Sequence, residues 1–141
     1  MSRIYWDTML FVYLLEAHPH FASQVQDTLA QSYRRGDTLL TSYLALGEVM
    51  AGAAGDRSRS EAARSTIVDM GFSFLPFDAA CVPTFSRLRS EMRLKAPDSI
   101  HLACAAAAGV DMFLTGDTQL LKRKVHVPGI HFITNFELSV L

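Results

Sequence analysis

The sequence predicts an α/β fold, a three-layer α/β/α sandwich in which helices cover both faces of a central, mostly parallel five-stranded sheet. Short apolar stretches that suit strands alternate along the chain with longer stretches of helical character, which is the pattern of βαβ units. Half of the 141 residues are apolar, enough to build a real core. We therefore predict one domain over residues 1–141.

The strand and helix boundaries follow from local signals. Strands are predicted at Arg3–Trp6, Thr38–Thr41, Phe72–Phe77, Asp111–Thr115 and His131–Thr134. Helix N-caps are predicted at Ser42 and Asp78, and Pro97 suits a first helical turn. The predicted helices are Thr8–Glu16, one ending near Arg35, one that carries Glu48 and breaks at Gly52, Arg57–Met70, one from Asp78 to Arg93, one ending at Gly109, and a short turn from Asp117 to Lys124.

Composition limits the classes of partner and compartment. The formal net charge is −1, so contact with nucleic acid must come from local basic patches rather than from a global field. The two cysteines have no zinc-binding spacing, which disfavours a thiol metal site or a disulfide framework and favours a cytoplasmic location. No long apolar segment follows Arg3, so we expect neither a signal peptide nor a membrane span.

Four carboxylates interrupt apolar stretches: Asp7, Glu48, Asp98 and Asp117. Burying an unpaired carboxylate costs several kcal/mol or forces it to take up a proton, so an apolar frame around an acid suggests a compensating partner. No lysine or arginine lies within four residues of Glu48. Local ion pairing therefore does not explain that acid.

The predicted topology brings the four acids to one edge of the sheet. Strand C-termini and helix N-termini share the edge where ligands bind in open α/β folds. Asp7 and Asp117 follow strands, and Asp98 lies in the first turn of its helix. Glu48 lies about six residues into its helix, roughly 9 Å from the helix start, but its side chain points back towards that start.

Crowded carboxylates repel and raise one another's pKa unless a cation is present. Mg²⁺ or Mn²⁺ prefers oxygen ligands and keeps several waters, which the hydroxyls of Thr8, Thr115 and Thr118 are expected to orient. A divalent ion in such a site can activate water and stabilise an in-line displacement at phosphorus. The pattern therefore predicts phosphodiester chemistry.

Structural explanations compete for each acid taken singly. Asp7 and Asp117 are placed to cap helices, and the helix dipole favours Asp98 at a helix start whatever its function. Glu48 has the weakest structural explanation. His101, three residues after Asp98, is interpreted as a histidine packed near the core in preference to a general acid or a group that supports the metal ligands.

Four segments carry a resemblance to a known family: Asp7-Thr8, Ser42 to Glu48, Ala96 to Ala103, and Leu114 to Asp117. In this order, and in a chain of this size, they resemble the PIN-domain nucleases, most closely the VapC-type toxins of toxin–antitoxin pairs. The resemblance extends from Arg3 to Leu138. One departure is Gly116, which stands where many relatives have a polar residue such as asparagine.

The resemblance implies a PIN-like fold and an endoribonuclease that depends on Mg²⁺ or Mn²⁺. Metal-activated water would cut RNA and leave 5′-phosphate and 3′-hydroxyl ends. Asp7, Glu48 and Asp98 match the acids that define the metal site, and Asp117 matches a fourth, more variable position. A cognate antitoxin and a homodimer of the toxin are also implied.

Basic residues are candidates for contact with the RNA backbone. They form three groups: Lys122 to Lys124; Arg57, Arg59 and Arg64; and Arg87, Arg89, Arg93 and Lys95. A solvated helix end explains the group at Lys122 equally well, and for the other groups a surface without contact to RNA is the favoured explanation.

Two other functions compete with the nuclease. A catalytically silent PIN-like domain would bind RNA or protein, but the complete set of acids argues against lost activity. A receiver-type phospho-acceptor domain needs paired acids after its first strand and a lysine after a late strand. Here Tyr5 and Trp6 precede a lone Asp7, and no lysine lies between Thr115 and Lys122. Nucleotide-binding GxGxxG and Walker motifs are absent from the sequence.

Overall fold

Five strands form one parallel sheet in the computed structural model, which describes residues 1–53 and 55–136. Glu137 and Leu138, at the end of the predicted resemblance, lie outside the described residues. The strand order is β3-β2-β1-β4-β5. The strands are β1 (Arg3–Trp6), β2 (Thr38–Ser42), β3 (Ser73–Leu75), β4 (Val110–Thr115) and β5 (Ile130–Asn135).

Seven α-helices connect these strands in the described part of the chain. They are α1 (Thr8–Leu15), α2 (Ala22–Arg35), α3 (Tyr43–Ala51), α4 (Arg57–Asp69), α5 (Val82–Ser90), α6 (Ala96–Ala108) and α7 (Thr118–Lys122). A 3₁₀ turn at Ala79–Cys81 precedes α5. None of the described helices is long and apolar enough to cross a membrane.

The central strand β1 divides the core into two layers because successive side chains of a strand point to opposite faces. Ile4 and Trp6 pack on one face with buried residues of α1 to α4, including Val25 and Ile67. Tyr5 packs on the other face with buried leucines of α5, α6 and α7, which are Leu88, Leu102 and Leu120. The predicted three-layer sandwich is confirmed, and every strand pair is parallel.

The strand order reverses beside β1, because β2 pairs with one of its edges and β4 with the other. In open parallel sheets, ligands bind in the crevice beyond the strand C-termini at such a reversal. Asp7 follows β1 directly, and Asp117 lies two residues beyond β4. Topology therefore places both acids beside the crevice.

The segment from β3 to α5 differs from its prediction. The expected strand Phe72–Phe77 is limited to Ser73–Leu75, before Pro76. Asp78 acts as an N-cap as predicted, with its side chain accepting a hydrogen bond from the backbone N–H of Ala80. It caps only the 3₁₀ turn, however, and α5 begins at Val82. Proline is tolerated in the first turn of a helix but not farther in, so Pro83 requires the helix to start there.

Candidate acidic active site

Asp7 is buried at the C-terminal end of β1 and makes hydrogen bonds through both carboxylate oxygens. Its Oδ1 accepts from the backbone N–H of Thr8 at 2.7 Å, which makes Asp7 the N-cap of α1. Its Oδ2 accepts from the Thr115 hydroxyl at 2.8 Å. The predicted capping role is confirmed, and the bond to Thr115 fixes the carboxylate against β4.

Asp117 lies on the other side of the same threonine and caps α7. Its Oδ1 accepts from the backbone N–H groups of Gln119 at 2.9 Å and Leu120 at 3.2 Å. Its own N–H donates to the Thr115 hydroxyl oxygen at 3.0 Å. One threonine hydroxyl thus connects the two acids, since it donates to Asp7 and accepts from Asp117.

Asp98 lies in the first turn of α6, as predicted, and is half-buried. Its pKa is raised, chiefly by burial and then by the negative charges of Asp117 and Asp7. His101 and Lys95 act in the opposite direction on this pKa, more weakly. The structure therefore brings three of the predicted acids, from three different elements, within electrostatic reach of one another.

Glu48 reaches the site from α3 and is held through a single oxygen. Its Oε1 accepts from the Thr8 hydroxyl at 2.7 Å and lies 2.9 Å from Nε2 of His101. The hydrogen bond with His101 lowers the pKa of Glu48, while burial acts against it. Within residues 1–53 and 55–136, both hydrogen bonds to Glu48 fall on Oε1 and none on Oε2.

His101 has a role in the site that sequence reasoning considered but ranked below simple packing. The prediction that it packs near the core is confirmed, since it is 2% exposed. It also connects two of the acids, because Nε2 lies 3.5 Å from Oδ1 of Asp7 in addition to its contact with Glu48. Its other ring nitrogen, Nδ1, lies 2.7 Å from the Tyr5 hydroxyl. The spacing of three residues from Asp98 was a usable signal, because residues three apart share a helix face.

Thr8 and Thr115 were predicted to orient metal-bound water. Each hydroxyl donates its single hydrogen to a carboxylate, Thr8 to Glu48 and Thr115 to Asp7. The two threonines therefore orient the acids themselves.

Gly116 has a packing explanation. A Cβ atom at this position would lie 3.2 Å from a ring carbon of Tyr13 and 3.4 Å from a ring carbon of Phe136. The distance to Tyr13 is shorter than an ordinary van der Waals contact, and the distance to Phe136 is at the lower limit of one. The two rings therefore occupy the space that a larger side chain would need.

The four carboxylates are suited to a hard divalent cation, although their side chains do not yet lie close enough together to share one. Across the described residues, no group of three or more His, Cys, Asp or Glu side chains is placed so that it could hold a metal ion. In that same part of the chain, no lysine or arginine forms an ion pair with any of the four acids. Carboxylate oxygens are the ligands that Mg²⁺ and Mn²⁺ prefer, so the residues fit such an ion after side-chain adjustment.

A hydrogen bond joins the two segments that carry two of the predicted basic groups. The Arg123 guanidinium donates to the backbone oxygen of Met92, which links α7 to the loop that precedes α6. The same loop carries Lys95, whose charge acts on Asp98. In the remaining group, Arg64 pairs with Glu61 of its own helix at 3.1 Å.

Solved structures of other proteins share the fold. The fold is similar to that of a chain in the structure of VapBC2 from Rickettsia felis bound to a DNA fragment from the promoter, with 19% sequence identity and a TM-score of 0.72 over 94% of this chain and 98% of that one. It is also similar to a chain of DNA-bound VapBC from Salmonella typhimurium, with 17% identity and a TM-score of 0.73 over 96% of this chain and 99% of that one. A third similar structure is VapBC-5 from Mycobacterium tuberculosis, a member of the VapBC family of toxin-antitoxin systems, with 18% identity and a TM-score of 0.63 over 94% of this chain and 98% of that one.

No curated protein matches the chain. Residues 4–125 match the family described as PIN domain, a range that includes all four acids. The chain therefore belongs to the PIN domain family, as the resemblance predicted.

Proposed function

We propose that this protein is a metal-dependent endoribonuclease that hydrolyses RNA phosphodiester bonds to 5′-phosphate and 3′-hydroxyl ends. The observation that carries the proposal is the electrostatic coupling of Asp98 with Asp7 and Asp117 at the ligand-binding edge of a parallel sheet. Carboxylates that lie close together without an ion pair to lysine or arginine are well suited to bind a divalent cation. Membership of the PIN domain family supports the same conclusion.

Asp7, Glu48, Asp98 and Asp117 would hold Mg²⁺ or Mn²⁺. When bound, such an ion supplies Lewis-acid chemistry, activating water and stabilising charge at phosphorus. The chain's own contribution is preorganisation, because Thr8 and Thr115 hold two of the acids before substrate arrives. In the described structure, the second oxygens of Glu48 and Asp117 receive no hydrogen bond. They are therefore available to coordinate a cation or to accept a hydrogen bond from water.

RNA would be attracted by local basic groups, because the net charge of −1 supplies no overall attraction. Lys95 lies three residues before Asp98, and Lys122 lies in the last turn of the helix that Asp117 caps. We propose that these two lysines and Arg123 contact phosphates on either side of the cleaved bond.

We further propose that the enzyme is a toxin controlled by a cognate antitoxin. The similar solved structures are of VapBC proteins, one of them described as part of a toxin-antitoxin system. Expression of the wild-type chain should arrest growth, Asp98→Asn should remove that effect, and co-expression with the partner should relieve it. Growth arrest that persists with Asp98→Asn would contradict toxicity by cleavage. The homodimer stays a prediction.

The decisive experiment is cleavage of a structured-RNA pool by purified protein with Mg²⁺, Mn²⁺ or EDTA. Asp98→Asn tests the site, and Asp69→Asn, which removes an exposed acid at the end of α4, is the matched control. We expect discrete products with 5′-phosphates from the wild type and Asp69→Asn, and none from Asp98→Asn or with EDTA. Folded protein that binds RNA but never cuts it would instead favour the catalytically silent module.

A further inference from the structure

We propose that His101 is a positioning residue that holds Glu48 through the Nε2–H tautomer of its ring, with Tyr5 selecting that tautomer. The ring would fix Oε1 of Glu48 and leave Oε2 as the oxygen available to a ligand. The consequence for catalysis rests on the proposed function, whereas the tautomer and the fixed carboxylate do not.

The first step is the hydrogen on the Tyr5 phenol. Tyr5 is completely buried, and a phenol carries its hydrogen at neutral pH, so the hydroxyl has a hydrogen to donate. Its oxygen lies 2.7 Å from Nδ1 of His101. A hydrogen bond of this length is satisfied when the phenol donates to an unprotonated Nδ1.

The second step is the contact at the other ring nitrogen. A carboxylate only accepts hydrogen bonds, so the 2.9 Å separation between Nε2 of His101 and Oε1 of Glu48 requires a hydrogen on Nε2. The Thr8 hydroxyl oxygen also lies 3.1 Å from Nε2, but its one hydrogen is donated to Oε1 of Glu48 at 2.7 Å, so towards Nε2 it too can only accept. The opposite neutral tautomer would direct a lone pair at the carboxylate, so both contacts select Nε2–H.

The third step is that these contacts join three elements. Ser42 caps α3 by accepting from the N–H of Ala45 at 3.2 Å, and its side chain lies beside Tyr5. Tyr5 belongs to β1, His101 to α6, and Glu48 again to α3. The helix that carries Glu48 is therefore held both at its N-cap and at the acid itself, which removes rotational freedom from a flexible side chain before ligand binds.

Nitrogen-15 NMR of the imidazole in the wild-type protein tests the tautomer without any assay of activity. We expect His101 to show a protonated Nε2 and an unprotonated Nδ1, and Tyr5→Phe to change this pattern by removing the phenol hydrogen. A hydrogen on Nδ1 in the wild type would overturn the proposal even if the protein cleaves RNA.

Two matched variants test the positioning role. His101→Gln can place an amide N–H where Nε2 lies, whereas the shorter amide of His101→Asn reaches only the Nδ1 position. We expect His101→Asn to weaken Mn²⁺ binding, measured by calorimetry, by about tenfold or more and His101→Gln to recover most of that loss. Thermal melts verify that both variants fold.

The outcomes separate this inference from the proposed function. Equal loss of Mn²⁺ affinity in folded His101→Asn and His101→Gln would contradict positioning through Nε2–H. Rescue by glutamine in a protein that never cuts RNA would uphold the positioning role and reject the nuclease.

Discussion

Asp98 and Glu48 contribute to the same site with opposite effects on stability. Burial and the charges of Asp117 and Asp7 raise the pKa of Asp98, so its ionised form costs folding free energy. That cost is present at neutral pH and disappears as pH falls through the raised pKa. In the absence of added metal, we expect Asp98→Asn to raise the Tm at pH 7 by roughly 1–3 °C, a small shift because solvent screens a half-exposed carboxylate.

Thermal unfolding by circular dichroism with EDTA, at pH 7 and near pH 4, measures this effect. The advantage of Asp98→Asn should shrink at the lower pH, because the raised pKa allows Asp98 of the folded wild type to take up a proton there. A variant less stable than the wild type at pH 7 would contradict the assigned repulsion.

The ionised carboxylate of Glu48 should stabilise the folded protein, in contrast to that of Asp98. The hydrogen bond with His101 lowers its pKa, so the ionised form stabilises the fold above the unfolded-state pKa, and that stability is lost as pH falls through the lowered value. Glu48→Gln should therefore lower the Tm at pH 7, and the deficit should narrow in acid. An unchanged or raised Tm at pH 7 would show that the contacts on Oε1 add no net stability.

At the scale of helices and strands, the boundaries that local chemistry determines were predictable. Ser42 caps α3, Pro97 lies in the first turn of α6, and Gly109 ends that helix in a left-handed conformation. The start of α5 was placed too early because the capping signal at Asp78 was clear while Pro83 requires the helix to begin later. Two local signals competed, and only the folded chain decides between them.

The site was predictable only where the order of strands and helices places its residues. The strand ends and helix starts alone bring Asp7, Asp98 and Asp117 to one edge, so topology was sufficient. The partners of His101 were not predictable, because Tyr5 lies 96 residues away and Glu48 lies 53 residues away in the sequence. Contacts across such separations leave no pattern within a sequence window.

The junction between α6 and the segment before β5 gives an element-scale prediction. Gly129 has φ +101°, and a Cβ there would lie 2.4 Å from the backbone oxygen of Ala106. Gly36 has φ +72°, but apart from its chain neighbours no described residue comes within 4 Å of a Cβ at this position. We expect Gly36→Ala to lower the free energy of unfolding by about 1–2 kcal/mol, because alanine is strained in a left-handed backbone conformation. Gly129→Ala should lower it by about 1–3 kcal/mol more, because the backbone at Ala106 must also move to make room for the Cβ atom.

Urea denaturation of the two glycine variants measures the difference directly. Similar midpoints for both would show that α6 moves away from position 129 at little cost.

For the whole molecule, a cation that binds the folded protein and not the unfolded chain must raise its stability, by about 2.7 kcal/mol at a concentration 100 times the Kd. We expect Mn²⁺ to raise the Tm of the wild type and of Asp69→Asn, but to raise that of Asp98→Asn much less, since only the last variant loses an acid of the coupled cluster. EDTA should reverse the shift. An equal shift in all three proteins would locate the stabilising ion elsewhere and remove the physical basis for the metal site.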